Sequence, residues 1–138
     1  MATNKTNIYQ SYQIIVVEDH QDLNYLICKN LKREGFRTAA AHTGEEGLAK
    51  ISGNDREILL VDYFLPDMNA KQLILELKEQ GIEIPFVVMT GHGDEKIAVE
   101  MMKMGARDYI IKQEELIELL IPKLKQVCKE LDQEIKLI

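Results

Sequence analysis

Short, unbroken apolar runs recur along the chain: QIIVVE over residues 13–18, then Phe36 to Ala41, Glu57 to Val61, Pro85 to Thr90 and Arg107 to Ile111. A run without alternation predicts a strand buried on both faces of a parallel sheet. The stretches between them carry a helical period instead. Leu23, Leu26, Ile27, Asn30 and Leu31 share one face of the first, which closes at Gly35. Thr43, with Glu46 three residues on, supplies a capping box for the second. Leu73, Ile74 and Leu77 form the inner face of the third, which ends near Gly81, and the fourth runs from Asp94 to Met104 and stops at Gly105.

The fifth helix has to accommodate Pro122. Proline in a helix interior costs about 3 kcal/mol but is harmless in the first turn, so the regular helix is expected to start near Leu120. Glu114 to Glu118 then becomes a turn or loose lead-in. Ile121, Leu124, Cys128, Leu131, Ile135 and Ile138 recur at three- and four-residue intervals through this helix. The first half of that heptad-like seam covers the sheet; from Leu131 onward it calls for another surface, either a homodimer through the last helix or a linker into an adjacent domain.

Five strands alternating with five helices predict an α/β fold: a three-layer, doubly wound (βα)5 with a parallel five-stranded sheet of order 2-1-3-4-5. Residues 1–12 are read as a flexible N-terminal tail, 13–131 as the domain, and 132–138 as an extension of the last helix. The 138-residue length, with 46% apolar and 29% charged residues, fits one soluble globular unit. No apolar stretch approaches the roughly 18–20 residues of a membrane span, and Met1 to Ser11 lacks the apolar middle of a signal peptide, so a cytoplasmic location is expected. The formal charge of −6 argues against a nucleic-acid surface and fits cation binding. Cys28 and Cys128 show no metal-ligand spacing and read as buried, inert thiols.

In a doubly wound sheet, ligands bind beyond the carboxyl ends of the strands. Glu18 and Asp19 end the first strand, Asp62 the third, Thr90 the fourth and Lys112 the fifth, so these side chains are expected to converge. Clustered carboxylates repel unless a cation neutralises them. An all-oxygen donor set suits Mg²⁺, or Mn²⁺, rather than zinc. Lys112 and Thr90 can meet the oxygens of a transferred phosphoryl group, and an ionised Asp62 serves as nucleophile without a general base.

The segments VVEDH (16–20), LLVDYFLPDMNA (59–70), VVMTGHGD (87–94) and GARDYIIK (105–112) resemble the signature blocks of two-component response-regulator receiver domains. They stand in the family's order and spacing, and the resemblance covers Gln13 to Leu131. It implies that Asp62 accepts a phosphoryl group from a histidine kinase or histidine phosphotransfer protein. Asp19 would hold Mg²⁺ directly and Glu18 through water, with the main-chain carbonyl of Phe64 a further ligand. Thr90 and Lys112 would contact the phosphoryl group, and Tyr109 would turn inward as Thr90 moves. The resulting switch would act on the face of the fourth helix, fifth strand and fifth helix, read by a downstream protein or adjacent domain. Enzymatic activity would extend no further than self-phosphorylation and autodephosphorylation. The chain is either a single-domain regulator or a receiver from a hybrid sensor histidine kinase, and the seam in the last helix favours the second.

Two positions depart from the family pattern. Gln113 stands where members carry a proline in a cis bond, so a trans bond and an altered following loop are expected; Ala70 replaces a glycine and constrains the start of the third helix. A phosphorylation-independent interaction module with the same fold is the alternative, supported by Gln113. A flavodoxin-like cofactor enzyme lacks its glycine-rich loop, since VEDHQD after the first strand is acidic.

Several residues also have plainer readings. Glu18 and Asp19 can cap the first helix; His20 and His92 read as solvent-exposed, His42 as lacking a partner, and Met68 and Met89 as core or loop filler. In the fourth helix, Ile97, Ala98, Val99, Met101, Met102 and Met104 form an arc wider than one sheet face needs, to be covered by a partner or by a neighbouring element.

Overall fold

In the computed structural model, which describes residues 7–91 and 93–136, the strands are β1 (Gln13–Val17), β2 (Arg37–Ala41), β3 (Glu57–Asp62), β4 (Phe86–Thr90) and β5 (Asp108–Ile111). Interleaved with them are α1 (Gln21–Arg33), α2 (Gly44–Lys50), α3 (Ala70–Glu79), α4 (Glu95–Lys103) and α5 (Leu116–Lys136). All pairings are parallel and the order is β2-β1-β3-β4-β5, the doubly wound arrangement the apolar runs predict.

Register and alternation together place the strand tips. Val17 pairs with both Ala41 and Val61, Asp62 with Met89, and Thr90 with Ile111. Glu18, one step past Val17, is therefore level with Asp62. Ile14, Val16, Ile58, Leu60, Met89 and Ile110 pack against α1 and α5, while Ile15, Val17, Leu59, Val61 and Val88 pack against α3 and α4. Because successive strand residues face opposite ways, Glu18, Asp62 and Lys112 continue the first face, and Thr90 and Tyr109 the second.

Four local expectations change. The buried residues of α1 are Asn24, Ile27, Cys28 and Leu31, a stripe rotated from the expected face, and Leu26 is 45% exposed. Helix α5 begins at Leu116 and carries Pro122 inside it. Burying Leu116 and Leu120 contributes about 1.5–3 kcal/mol each, enough to offset the proline, whose ring faces solvent.

Residues 7–12 are not a loose tail: a 3-10 turn spans Ile8–Ser11, Tyr12 is fully buried, and the Tyr9 ring sits 4.9 Å from that of Phe36. Arg37 fastens this segment by donating to the Gln10 and Ser11 carbonyls, both at 3.0 Å. The rest of the expected tail lies outside the described residues. The capping box at α2 is split, since Thr43 accepts from the Glu46 N–H whereas the Glu46 carboxylate accepts from His42 rather than Thr43.

The seam of α5 is buried at its centre and half-buried toward its end. Leu124 and Cys128 are buried, and Leu131 and Ile135 line a 440 Å³ groove with Ile82, Ile84, Phe86 and Met104; Ile138 lies outside the described residues. On α4 only Met101 is buried, and Val99 and Met102 are about half exposed. Among the described residues no helix is long and apolar enough to cross a membrane.

Candidate functional site

The strand tips bring the expected side chains together. One carboxylate oxygen from each of Glu18, Asp19 and Asp62 lies within 4.8 Å of the others. Glu18 and Asp62 are buried and Asp19 is exposed. The Lys112 ammonium enters from β5, 2.8 Å from Asp62 Oδ2 and 2.5 Å from Glu18 Oε1. Burial pushes the Glu18 carboxyl above its usual range, against the opposing pull of Lys112 and the His20 N–H. For Lys112 burial acts downward, but the bonds to Asp62 and Glu18 outweigh it and hold the ammonium above its ordinary value. With all three acids ionised, one ammonium leaves two negative charges unmatched, the complement of a divalent cation. The donor set is all oxygen and one member opens to solvent, which suits an ion that keeps part of its water shell.

Glu18 is held from every side. Its N–H donates to the Ala41 carbonyl at 3.0 Å, and its Oε2 accepts from the His20 N–H at 2.9 Å. The Asn24 amide donates to the carbonyls of Val16, Glu18 and Ala41 at 3.1, 3.0 and 3.0 Å. The N-cap of α1 is His20, whose Nδ1 accepts from the Leu23 N–H at 3.2 Å. Glu18 and Asp19 are therefore not the cap and remain available to the cluster. His20 is exposed as expected; His42 has Glu46 3.6 Å away; His92 lies outside the described residues.

The loop after Asp62 is short and pinned at both ends. Phe64 bridges Asn69, the Leu65 N–H donates to the Met68 carbonyl at 3.1 Å, and the Ala70 N–H donates to the Tyr63 carbonyl at 2.8 Å. Asn69 and Gln72 form a reciprocal capping box that starts α3, so Ala70 is accommodated as a fully buried first helical residue. At the loop's tip, Asp67 accepts from the N–H groups of Gly44 and Glu45 at 2.8 and 2.9 Å. What little burial Asp67 has raises its carboxyl, but these two bonds prevail and hold it below the ordinary aspartate value. Met68 lies so close to Gly44 that a Cβ there would come within 2.4 Å of Met68 Cγ. The Phe64 side chain is 50% exposed.

On the other sheet face, Thr90 is fully buried, and its carbonyl accepts from the Lys112 N–H at 2.7 Å. Tyr109 packs against the α3 and α4 core cluster with its hydroxyl buried. Burial raises that phenol above its usual value and the nearby Thr90 hydroxyl offsets part of the rise, although no group among the described residues meets the phenol oxygen at hydrogen-bond distance. No cis peptide bond occurs among the described residues, so the bond before Gln113 is trans. The Gln113 carbonyl accepts from the Leu116 N–H at 3.0 Å, leading straight into α5. Cys28 and Cys128 are buried and unpaired with each other, and Met89 is core while Met68 covers Gly44.

Sequence reasoning passed over Asn24, Asp67 and Asn69. Asn69 had a legible signal, an Asn three residues before Gln72 ahead of an apolar helix. Asn24 and Asp67 bond to backbone that only the tertiary fold delivers.

Residues 14–121 match the response regulator receiver domain. The chain belongs to that family. Receiver domains act in two-component signalling with histidine kinases or phosphotransfer proteins, and they generally bind Mg²⁺ at an acidic pocket. A similar curated protein is the response regulator SaeR of Staphylococcus aureus (strain USA300), 28% identical over 99 residues, covering 72% of this chain and 43% of SaeR. The chain thus spans less than half the length of that relative. Among solved structures it is similar to FixJ-N, with TM-score 0.74 and 30% identity over 86% of this chain and 94% of the other. A CheY-like receiver domain protein from Methanospirillum hungatei JF-1 gives TM-score 0.79 and 28% identity, covering 89% and 98%.

Proposed function

We propose that this receiver accepts a phosphoryl group on Asp62 in a Mg²⁺-dependent transfer from the phosphohistidine of a histidine kinase or histidine phosphotransfer protein. The observation that carries this reading is the buried Asp62 carboxylate, grouped with two further acids and bonded by one lysine.

The ion would be held by the carboxylates of Asp19 and Asp62, with Glu18 beside them and the Phe64 main-chain carbonyl as a further ligand. When bound, Mg²⁺ neutralises charge on the phosphoryl oxygens. The Asp62 carboxylate attacks phosphorus while the P–N bond breaks and the imidazole leaves with the bonding pair. Lys112 lets go of Asp62 to meet a phosphoryl oxygen, and the Thr90 hydroxyl donates to another. Burial of Glu18 and Thr90 keeps the reacting centre on a dry floor where such contacts are strong.

The output follows from the contact between Thr90 and Tyr109. Once the Thr90 hydroxyl is committed to phosphate, it draws away from the phenol beside it, and the equilibrium of the α4–β5–α5 face shifts. Val99 and Met102, about half exposed on α4, are the apolar contacts that face offers a downstream protein or adjacent domain. Intact-mass measurement after incubation with acetyl phosphate tests the reading: one phosphoryl group is gained with Mg²⁺ present and none after chelation. Equal modification without metal would refute the metal dependence.

A further inference from the structure

Helix α1 covers the sheet with Ile27, Cys28 and Leu31, yet the remaining member of that buried stripe is an amide. Asn24 is fully buried, and such a group costs free energy unless its hydrogen bonds are met. Here they are met by the ends of two strands. Nδ2 reaches Val16 O and Glu18 O on β1 and its extension, and Ala41 O at the end of β2, while Oδ1 accepts from the Cys28 thiol at 3.4 Å. The two N–H hydrogens of one amide are thereby shared among three carbonyls.

One of those carbonyls belongs to the peptide that joins Glu18 to Asp19. In extended backbone, neighbouring side chains leave on opposite sides, so the orientation of this single peptide plane sets the directions of both acids. The Glu18 N–H is already fixed by Ala41; Asn24 fixes the carbonyl that follows. We propose that Asn24 is a positioning residue for the acidic pair, locking the Glu18–Asp19 peptide so that both carboxylates stay grouped with Asp62 in a cation-ready arrangement. This rests on the metal-dependent reading above. It assigns the amide a role beyond stability, because partners behind metal ligands tune affinity by orienting them.

The test is Mg²⁺ binding by titration calorimetry on the full chain, comparing wild type, Asn24→Ala and Ile27→Val, each under conditions where urea denaturation shows it fully folded. Ile27 shares the buried face of α1 but carries no hydrogen-bonding group. Asn24→Ala is expected to raise the Mg²⁺ Kd by about tenfold, with Ile27→Val staying within about twofold of wild type. The rate of modification by acetyl phosphate in Asn24→Ala should recover at saturating Mg²⁺, a split that general loosening would not give. If Asn24→Ala fails to fold, Asn24→Ser, which keeps one shorter donor, is read in the same way. An unchanged Kd in the Asn24 variant, or an equal rise in Ile27→Val, overturns the inference while leaving the metal site standing. Wild-type protein that binds no Mg²⁺ overturns the metal reading and this inference with it.

Discussion

The Lys112 ammonium lies 2.5 Å from the Glu18 carboxylate, although their strands, β5 and β1, are separated in the sheet by β4 and β3. The lysine stem crosses the rim above Asp62 and joins tips that make no ladder contact. For Glu18 burial outweighs this attraction, whereas for Lys112 the carboxylates outweigh burial. Lys112→Ala leaves two buried carboxylates without their cation and should destabilise the metal-free protein by roughly 3 kcal/mol. Urea denaturation in the presence of chelator checks this, and an unchanged midpoint would show that the pair contributes nothing.

Asp67 ties the loop after β3 to the start of α2. Replacing it with alanine should cost about 1 kcal/mol, the usual worth of a capping carboxylate. Because the folded pKa is depressed, this contribution is present above the ordinary aspartate range and is lost as pH falls through the folded value. Denaturation curves of wild type and Asp67→Ala should consequently converge in acid. A gap that persists there would mean the side chain acts by packing instead.

Thr90 and Tyr109 should be energetically coupled through their hydroxyls. A double-mutant cycle of Thr90→Val and Tyr109→Phe, read by thermal unfolding, is expected to give about 0.5–1 kcal/mol of interaction free energy. Strict additivity would remove the link on which the proposed output depends.

Both thiols should be silent in the folded protein. Burial pushes the Cys128 thiol up to about 12 and raises that of Cys28, and the thiolate is the reactive form. A thiol-specific chromogenic reagent should therefore register neither cysteine until denaturant is added. Rapid labelling of native protein would show that α1 or α5 opens readily.

The sheet was legible because both-face burial writes itself as runs such as IIVV and ILLV. The grouping of Glu18, Asp19 and Asp62 followed from strand order alone. The rotated face of α1 was not legible, since a polar Asn24 reads as solvent-facing until the carbonyls of Val16, Glu18 and Ala41 are brought beneath it. Pro122 misled in the opposite direction: a local penalty of about 3 kcal/mol gave way to the burial of Leu116 and Leu120 on the sheet. Tyr9 and Tyr12 lay in a segment with no periodicity, and their packing against the base of the core depends on Phe36, Arg37 and Arg56 from elsewhere in the chain.

Phosphorylation at Asp62 is read by peptide mapping of the protein after acetyl phosphate and Mg²⁺, alongside Asp62→Asn. The assignment of Asp62 as acceptor requires a single acyl phosphate on the peptide containing Asp62 and none anywhere in the variant. An unmodified wild type, or a variant modified to the same extent, would contradict it.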